Sequence, residues 1–129
     1  MSESDHIRVG IVGAGRNTCA KHIPRLRAID GVDIVSVSNR TAASSRRVAR
    51  QFGIPTVYDN WSDLVRAEDT DAIVIGTWPY LHCPVTLAAL AAGKHVLCEA
   101  RMAMDAREAR GMLDASRGKP NLVAQIVPA

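Results

Sequence analysis

Gly13, Gly15 and Thr18 stand in the run Val9-Gly10-Ile11-Val12-Gly13-Ala14-Gly15-Arg16-Asn17-Thr18, where a buried-strand pattern turns at two glycines into a helical one. Chemistry at that spacing is anion binding. Gly13 permits a tight turn, and Gly15 lets the backbone approach a pyrophosphate. After Arg16, the helix that opens at about Asn17 offers free N–H groups and about half a positive charge. The third position, usually Gly or Ala so that helix and strand pack closely, is Thr18. Its place directly after a strand gives the motif its weight. A glycine turn that only reverses the chain, and a methyltransferase turn for an adenosyl cofactor, are the alternatives.

A second group follows about 20 residues on, Ser38-Asn39-Arg40-Thr41 with Ser44 and Ser45, where an acidic residue would chelate the ribose hydroxyls of NAD. Asn39 is neutral, so nothing repels a 2′-phosphate. Arg40 can pair with that phosphate or lie on the adenine, and the hydroxyls of Thr41 and Ser44 can donate to it. The residues favour NADP over NAD, although Asn39-Arg40-Thr41 also reads as a helix cap. No set of His, Cys, Asp or Glu has metal-ligand spacing, so no metal site is expected.

The elements that must position these groups alternate along the chain. Strands are expected at Ile7–Val12, Ile34–Val37, Thr56–Tyr58, Ala72–Ile75, His95–Cys98 and Leu122–Val127. Helices are expected at Asn17–Ile29, Ala42–Phe52, Trp61–Arg66, Cys83–Ala92 and Ala106–Arg117. Near-continuous apolar strands imply burial on both faces, and strand–helix repetition implies right-handed crossovers. The fold class is therefore α/β, a doubly wound parallel sheet of Rossmann type in a single domain over residues 7–129. Gly31, Gly53, Gly93 and Gly118 follow four helices as left-handed stops. Asp105 with Glu108 resembles a capping box. In the last helix Ala106, Ala109, Leu113 and Ser116 share one face.

Composition narrows the class. A chain of 129 residues with 47% apolar residues suits one globular domain. The polar start, residues 1–6, reads as a disordered tail rather than a secretory signal. Cys19, Cys83 and Cys98 show no paired spacing, as expected for reduced thiols in a cytoplasm. The net charge of +3 is modest, and no basic stripe carries interleaved aromatics. Neither nucleic acid nor a membrane is an expected partner.

Ile73-Val-Ile-Gly-Thr-Trp-Pro-Tyr-Leu-His82, an alanine-rich helix, and Ala-Gly-Lys-His-Val-Leu-Cys-Glu99-Ala100-Arg101 together resemble the second half of the nucleotide-binding domain of the Gfo/Idh/MocA oxidoreductases. With the glycine loop, the resemblance covers nearly everything from Ile7 to Pro128. It implies a loop of the form Thr-Pro-Asn-x-x-His lining the cofactor cleft, matched here by Thr77, Trp78, Pro79 and His82. Trp78 departs from the family proline and either stacks on the cofactor or covers the sheet end. His82 either bonds the cofactor or substrate or is satisfied by backbone groups, and His22 is expected to pack. The family's Glu-Lys-Pro is Glu99-Ala100-Arg101 here. The resemblance assigns Glu99 to the nicotinamide ribose. It leaves no catalytic residue at the lysine position, Ala100. Arg101 stays protonated, so it can contact a substrate anion but cannot act as a base.

Relatives of this type continue into a second α/β domain that supplies most of the substrate pocket and commonly the oligomer interface. The ending Val-Ala-Gln-Ile-Val-Pro-Ala reads as the last strand entering that crossover. A truncated chain is expected, inactive by itself, with an exposed face that favours self-association. The implied activity is hydride transfer between a nicotinamide and a sugar-like or cyclitol hydroxyl or carbonyl. A non-catalytic cofactor-binding sensor is the alternative that Ala100 favours.

Overall fold

In a computed structural model, which describes residues 6–128, six strands form one parallel sheet. They are β1 (Ile7–Val12), β2 (Val32–Ser38), β3 (Thr56–Val57), β4 (Ala72–Ile75), β5 (His95–Cys98) and β6 (Ala124–Ile126). Their order is β3-β2-β1-β4-β5-β6. The chain runs outward from β1 to one edge, returns to β4 beside β1, and runs to the other edge. That reversal opens a crevice at the carboxyl ends of β1 and β4, where open α/β sheets bind ligands.

Five α-helices cover the two faces: α1 (Ile23–Arg27), α2 (Ala42–Phe52), α3 (Trp61–Arg66), α4 (His82–Ala91) and α5 (Ala106–Arg117). Side chains alternate along β1, so Val9 and Ile11 enter one core with Ile23, Val37 and Val48. Val12 enters the other with Leu64, Ile73, Val85 and Val96. The central strands β1 and β4 thus face two apolar layers, the physical reason for their near-continuous hydrophobic runs. The apolar α4 packs against α3 and α5 as well as the sheet. Lys94 is buried beneath it and donates from Nζ to Ala67 O at 2.7 Å and Thr70 O at 2.6 Å. Burial pushes its pKa down, and those bonds satisfy the ammonium.

Several expected elements change in detail. The helix expected over Asn17–Ile29 is interrupted by a π-helical turn, Thr18–His22, before α1. Pro24 supplies the reason: it cannot donate to residue 20 and its ring crowds that carbonyl, so the preceding turn widens. The fourth expected helix, Cys83–Ala92, is preceded by a 3₁₀ turn, Pro79–Leu81, and α4 starts at His82. Leu122–Val127 shortens to Ala124–Ile126, and Thr56–Tyr58 to Thr56–Val57. Gly31, Gly53 and Gly93 adopt positive φ. Gly118 does not: its φ is −73°, because the chain keeps turning through Lys119 N–H to Ser116 O. On α5 the buried residue is Met112, whereas Leu113 is exposed. Asp105 Oδ1 accepts from Glu108 N–H, but Glu108 Oε1 accepts from Met104 N–H, one residue before the reciprocal donor of a capping box. The tail expectation for residues 1–5 lies outside the described residues; His6 Nδ1 sits 3.1 Å from Asp33 Oδ2.

Candidate dinucleotide site

The loop after β1 is built by close approach of two strand ends. Gly13 has φ +84°, its N–H donates to Ser38 O, and a Cβ there would lie 2.6 Å from Thr77 N. Gly76 N–H donates to Val12 O, and a Cβ on Gly76 would lie 2.3 Å from Thr18 Oγ1. Thr18 is buried and its Oγ1 donates to Gly13 O at 3.4 Å. The third loop position therefore tolerates threonine because the facing strand end has no side chain. At Gly15 a Cβ would meet nothing within 4 Å, so the loop opens to solvent on the side a phosphate would take. The first N–H groups of the helix that begins at residue 16 have no intrahelical acceptors.

Asn39, at the end of β2, is committed to this loop. Its Oδ1 accepts from Ala14 N–H at 2.6 Å, and its Nδ2 donates to Ala14 O at 3.3 Å and Ser44 Oγ at 2.9 Å. Thr41 caps α2 by accepting from Ser44 N–H, and Ser45 Oγ accepts from Asn39 N–H at 2.7 Å. Arg40 is exposed and has no hydrogen bond or ion pair among the described residues. Ser38 Oγ is buried without a hydrogen-bond partner among those residues.

These pieces surround a cavity of about 550 Å³, within the usual range for a small-molecule site. Its walls are Val12–Gly15 on one side, Ser38–Arg40 with Ser44 on another, then Asp59–Trp61, and Gly76–Trp78 with Tyr80 and Leu81. Of the residues singled out from the sequence, Gly13, Gly15, Asn39, Arg40, Ser44, Thr77 and Trp78 meet here. Trp78 is 76% exposed at the rim. Arg16, Asn17, Thr18, Thr41, His82 and Glu99 lie outside the lining. Sequence reasoning missed Asp59, Asn60 and Trp61. Their signal was the short strand before them, whose carboxyl end had to open onto the same crevice once β3 paired with β2.

Two residues outside the lining organise its other end. His82, 1% exposed, lies between the loops, with Nδ1 2.6 Å from Arg101 O and Nε2 2.9 Å from Thr77 O. It ties the segment after β4 to the segment after β5 through backbone carbonyls. Glu99 Oε2 accepts from Asn17 Nδ2 at 2.6 Å and from His22 Nε2. The Ala100 side chain has no polar atom to add, and the Arg101 guanidinium is exposed. Among the described residues no three His, Cys, Asp or Glu cluster as metal ligands, and no helix is long and apolar enough to cross a membrane.

A loop with open space at Gly15, a helix start behind it and a polar corner at β2 fits a dinucleotide lying across the switch point. Comparison with known proteins agrees. A family model described as an oxidoreductase family with an NAD-binding Rossmann fold matches residues 7–126. An inositol 2-dehydrogenase of Klebsiella pneumoniae is 34% identical over 122 residues, 93% of this chain and 36% of that protein. A 1,5-anhydro-D-fructose reductase of Ensifer adhaerens is 37% identical over 110 residues, 85% of this chain and 33% of that protein. Among solved structures, a 3-ketoreductase from Actinomadura kijaniata in complex with NADP and TDP-benzene superposes with TM-score 0.85 at 26% identity. The match covers 93% of this chain and 37% of that one. Apo scyllo-inositol dehydrogenase from Lactobacillus casei gives TM-score 0.87 at 25% identity, covering 94% and 36%. The chain thus spans about a third of the length of these relatives.

Proposed function

We propose, from the premise that this chain belongs to the Gfo/Idh/MocA oxidoreductase family as its NAD-binding Rossmann domain, that it binds NADP in the cavity at the β1–β4 switch point. The bound nicotinamide supplies hydride acceptance and donation; the protein supplies orientation and electrostatics. Gly13 to Gly15 and the helix start hold the pyrophosphate. Trp78 walls the cavity by stacking, and Glu99 serves the nicotinamide ribose. The observation that carries the NADP reading is the β2 corner. Asn39 has no charge and its carboxamide is consumed by the glycine loop, while Arg40 and the Ser44 hydroxyl stand beside the cavity. A charge-assisted hydrogen bond contributes about 1.5–3 kcal/mol. One such bond from Arg40 to a 2′-phosphate favours NADP by about tenfold or more.

Asp59, the carboxylate in the lining, supports the competing NAD reading, since it could accept from ribose hydroxyls. Calorimetric titration with NADPH and NADH separates them. Arg40→Ala should weaken NADPH about tenfold and leave NADH nearly unchanged. Tighter NADH binding, lost in Asp59→Asn, would reverse the assignment.

For the whole protein the proposed reaction is hydride transfer to or from a sugar-like or cyclitol carbon, as the names of the relatives suggest. These 129 residues alone should bind cofactor without turnover. Ala100 cannot take or give a proton, and the Arg101 guanidinium stays protonated, suited to an anionic substrate group. A non-catalytic, cofactor-binding sensor is the second reading, and Ala100 favours it. NADP reduction by a longer form with any of a panel of polyols would rule the sensor out. Three free cysteines support a reducing, cytoplasmic setting.

A further inference from the structure

Asn17 and His22 reach the same oxygen, Glu99 Oε2, although they are five residues apart. In an α-helix of 3.6 residues per turn, positions five apart point about 140° away from each other. The π-helical turn Thr18–His22, closed by Ile23 N–H to Thr18 O, reduces that divergence, because i→i+5 bonding widens the turn and brings residues five apart nearer to one face. The site sits where the helix meets the carboxyl end of β5, and both His22 and Glu99 are largely buried, at 14% and 18% side-chain exposure. A carboxylate only accepts, so Asn17 Nδ2 and His22 Nε2 both donate to it. Both bonds fall on one oxygen; Oε1 has no hydrogen bond among the described residues.

We infer that the π turn is a positioning device. It aligns Asn17 and His22 so that they hold Glu99 by Oε2 and leave Oε1 to accept from the nicotinamide-side ribose of a bound dinucleotide. The inference rests on the dinucleotide reading above and adds to it which residues fix Glu99, and why the helix is irregular there. It also couples the helix that receives the pyrophosphate to the carboxylate at the far end of the cofactor. His22 is a positioning residue: its role is to fix the Glu99 rotamer, which otherwise loses several torsions on ordering.

The test compares two ligands on the 129-residue chain: NADPH, and adenosine 2′,5′-bisphosphate, which lacks the pyrophosphate-linked nicotinamide ribose. His22→Ala should weaken NADPH about tenfold and leave the bisphosphate unchanged. Glu99→Ala should match it, and the double variant should be no weaker than Glu99→Ala alone. His22→Gln, whose amide can still donate, should recover most of the loss. Pro24→Ala, which restores the N–H donor to residue 20 and lets the turn tighten to i→i+4 bonding with Asn17 and His22 still five apart, should mimic His22→Ala. Equal loss for both ligands, or additive losses in the double variant, would overturn the positioning role alone. If the unsubstituted chain bound neither ligand and no NADH either, the dinucleotide reading would fall and this inference with it.

Discussion

Asp71 accepts three hydrogen bonds from Arg8, from the backbone N–H at 2.9 Å, Nε at 3.1 Å and Nη2 at 3.0 Å. That side-chain hydrogen bonding, aided by the backbone donor and by the charge, holds its carboxyl below the usual aspartate range. A depressed folded pKa contributes stability above the unfolded value of about 3.9 and loses it as pH falls through the lower folded value. Asp71→Asn should therefore lower stability near neutrality, by about 1 kcal/mol or less because the pair is half exposed. The difference should vanish on acidification. Urea melts of both proteins across that range check it, and a gap that persists in acid would contradict the pairing. Asn39 shows how one residue can carry two sequence readings. Its type announced the absence of a ribose-chelating carboxylate, but only the structure showed both ends of the amide spent on Ala14 and Ser44.

At the scale of elements, the end of β1, the start of the following helix and the end of β4 interlock. Thr18 fills the space that Gly76 leaves, and the Gly76 position also faces Gly13 O at 2.6 Å from a would-be Cβ. Gly76→Ala should cost about 3 kcal/mol and weaken dinucleotide binding, because the displaced atoms belong to the glycine loop that lines the cavity. Adding Thr18→Ala should restore only part, since it removes the Oγ1 contact but not the backbone one. Thermal melts of the single and double variants decide this; full recovery would locate the strain in Thr18 alone. The glycine loop was legible from its spacing after a strand. The π turn was not, because a helical hydrophobic pattern tolerates one extra residue, and Pro24 could equally have ended the helix.

For the whole molecule, the two-layer core sets which groups meet reagents. Cys83 and Cys98 are buried around α4 and β5, and burial pushes the Cys98 thiol up to about 11. Cys19 is partly exposed beside the loop, its thiol also raised by burial. A thiol reagent near neutral pH should label the native chain slowly and at Cys19 first, and all three sites quickly after unfolding. Rapid native labelling of Cys83 or Cys98 would contradict the packing of α4 between the sheet and its neighbouring helices.

The sequence by itself determined the class of sheet, the family and the glycine turn after β1, because strand burial, helix punctuation and turn glycines are local and written in residue type. It placed Asn39, Arg40 and Thr77 at strand ends, where ligands of such sheets bind. Only the tertiary structure decided the partners. Glu99 is joined to Asn17 and His22 across 82 and 77 residues, and His82 is held between two loop carbonyls rather than beside the cavity. Asp59 to Trp61 enter the wall through β3 pairing with β2. Contacts of that range depend on strand order and helix register, neither of which a local pattern of residue types encodes.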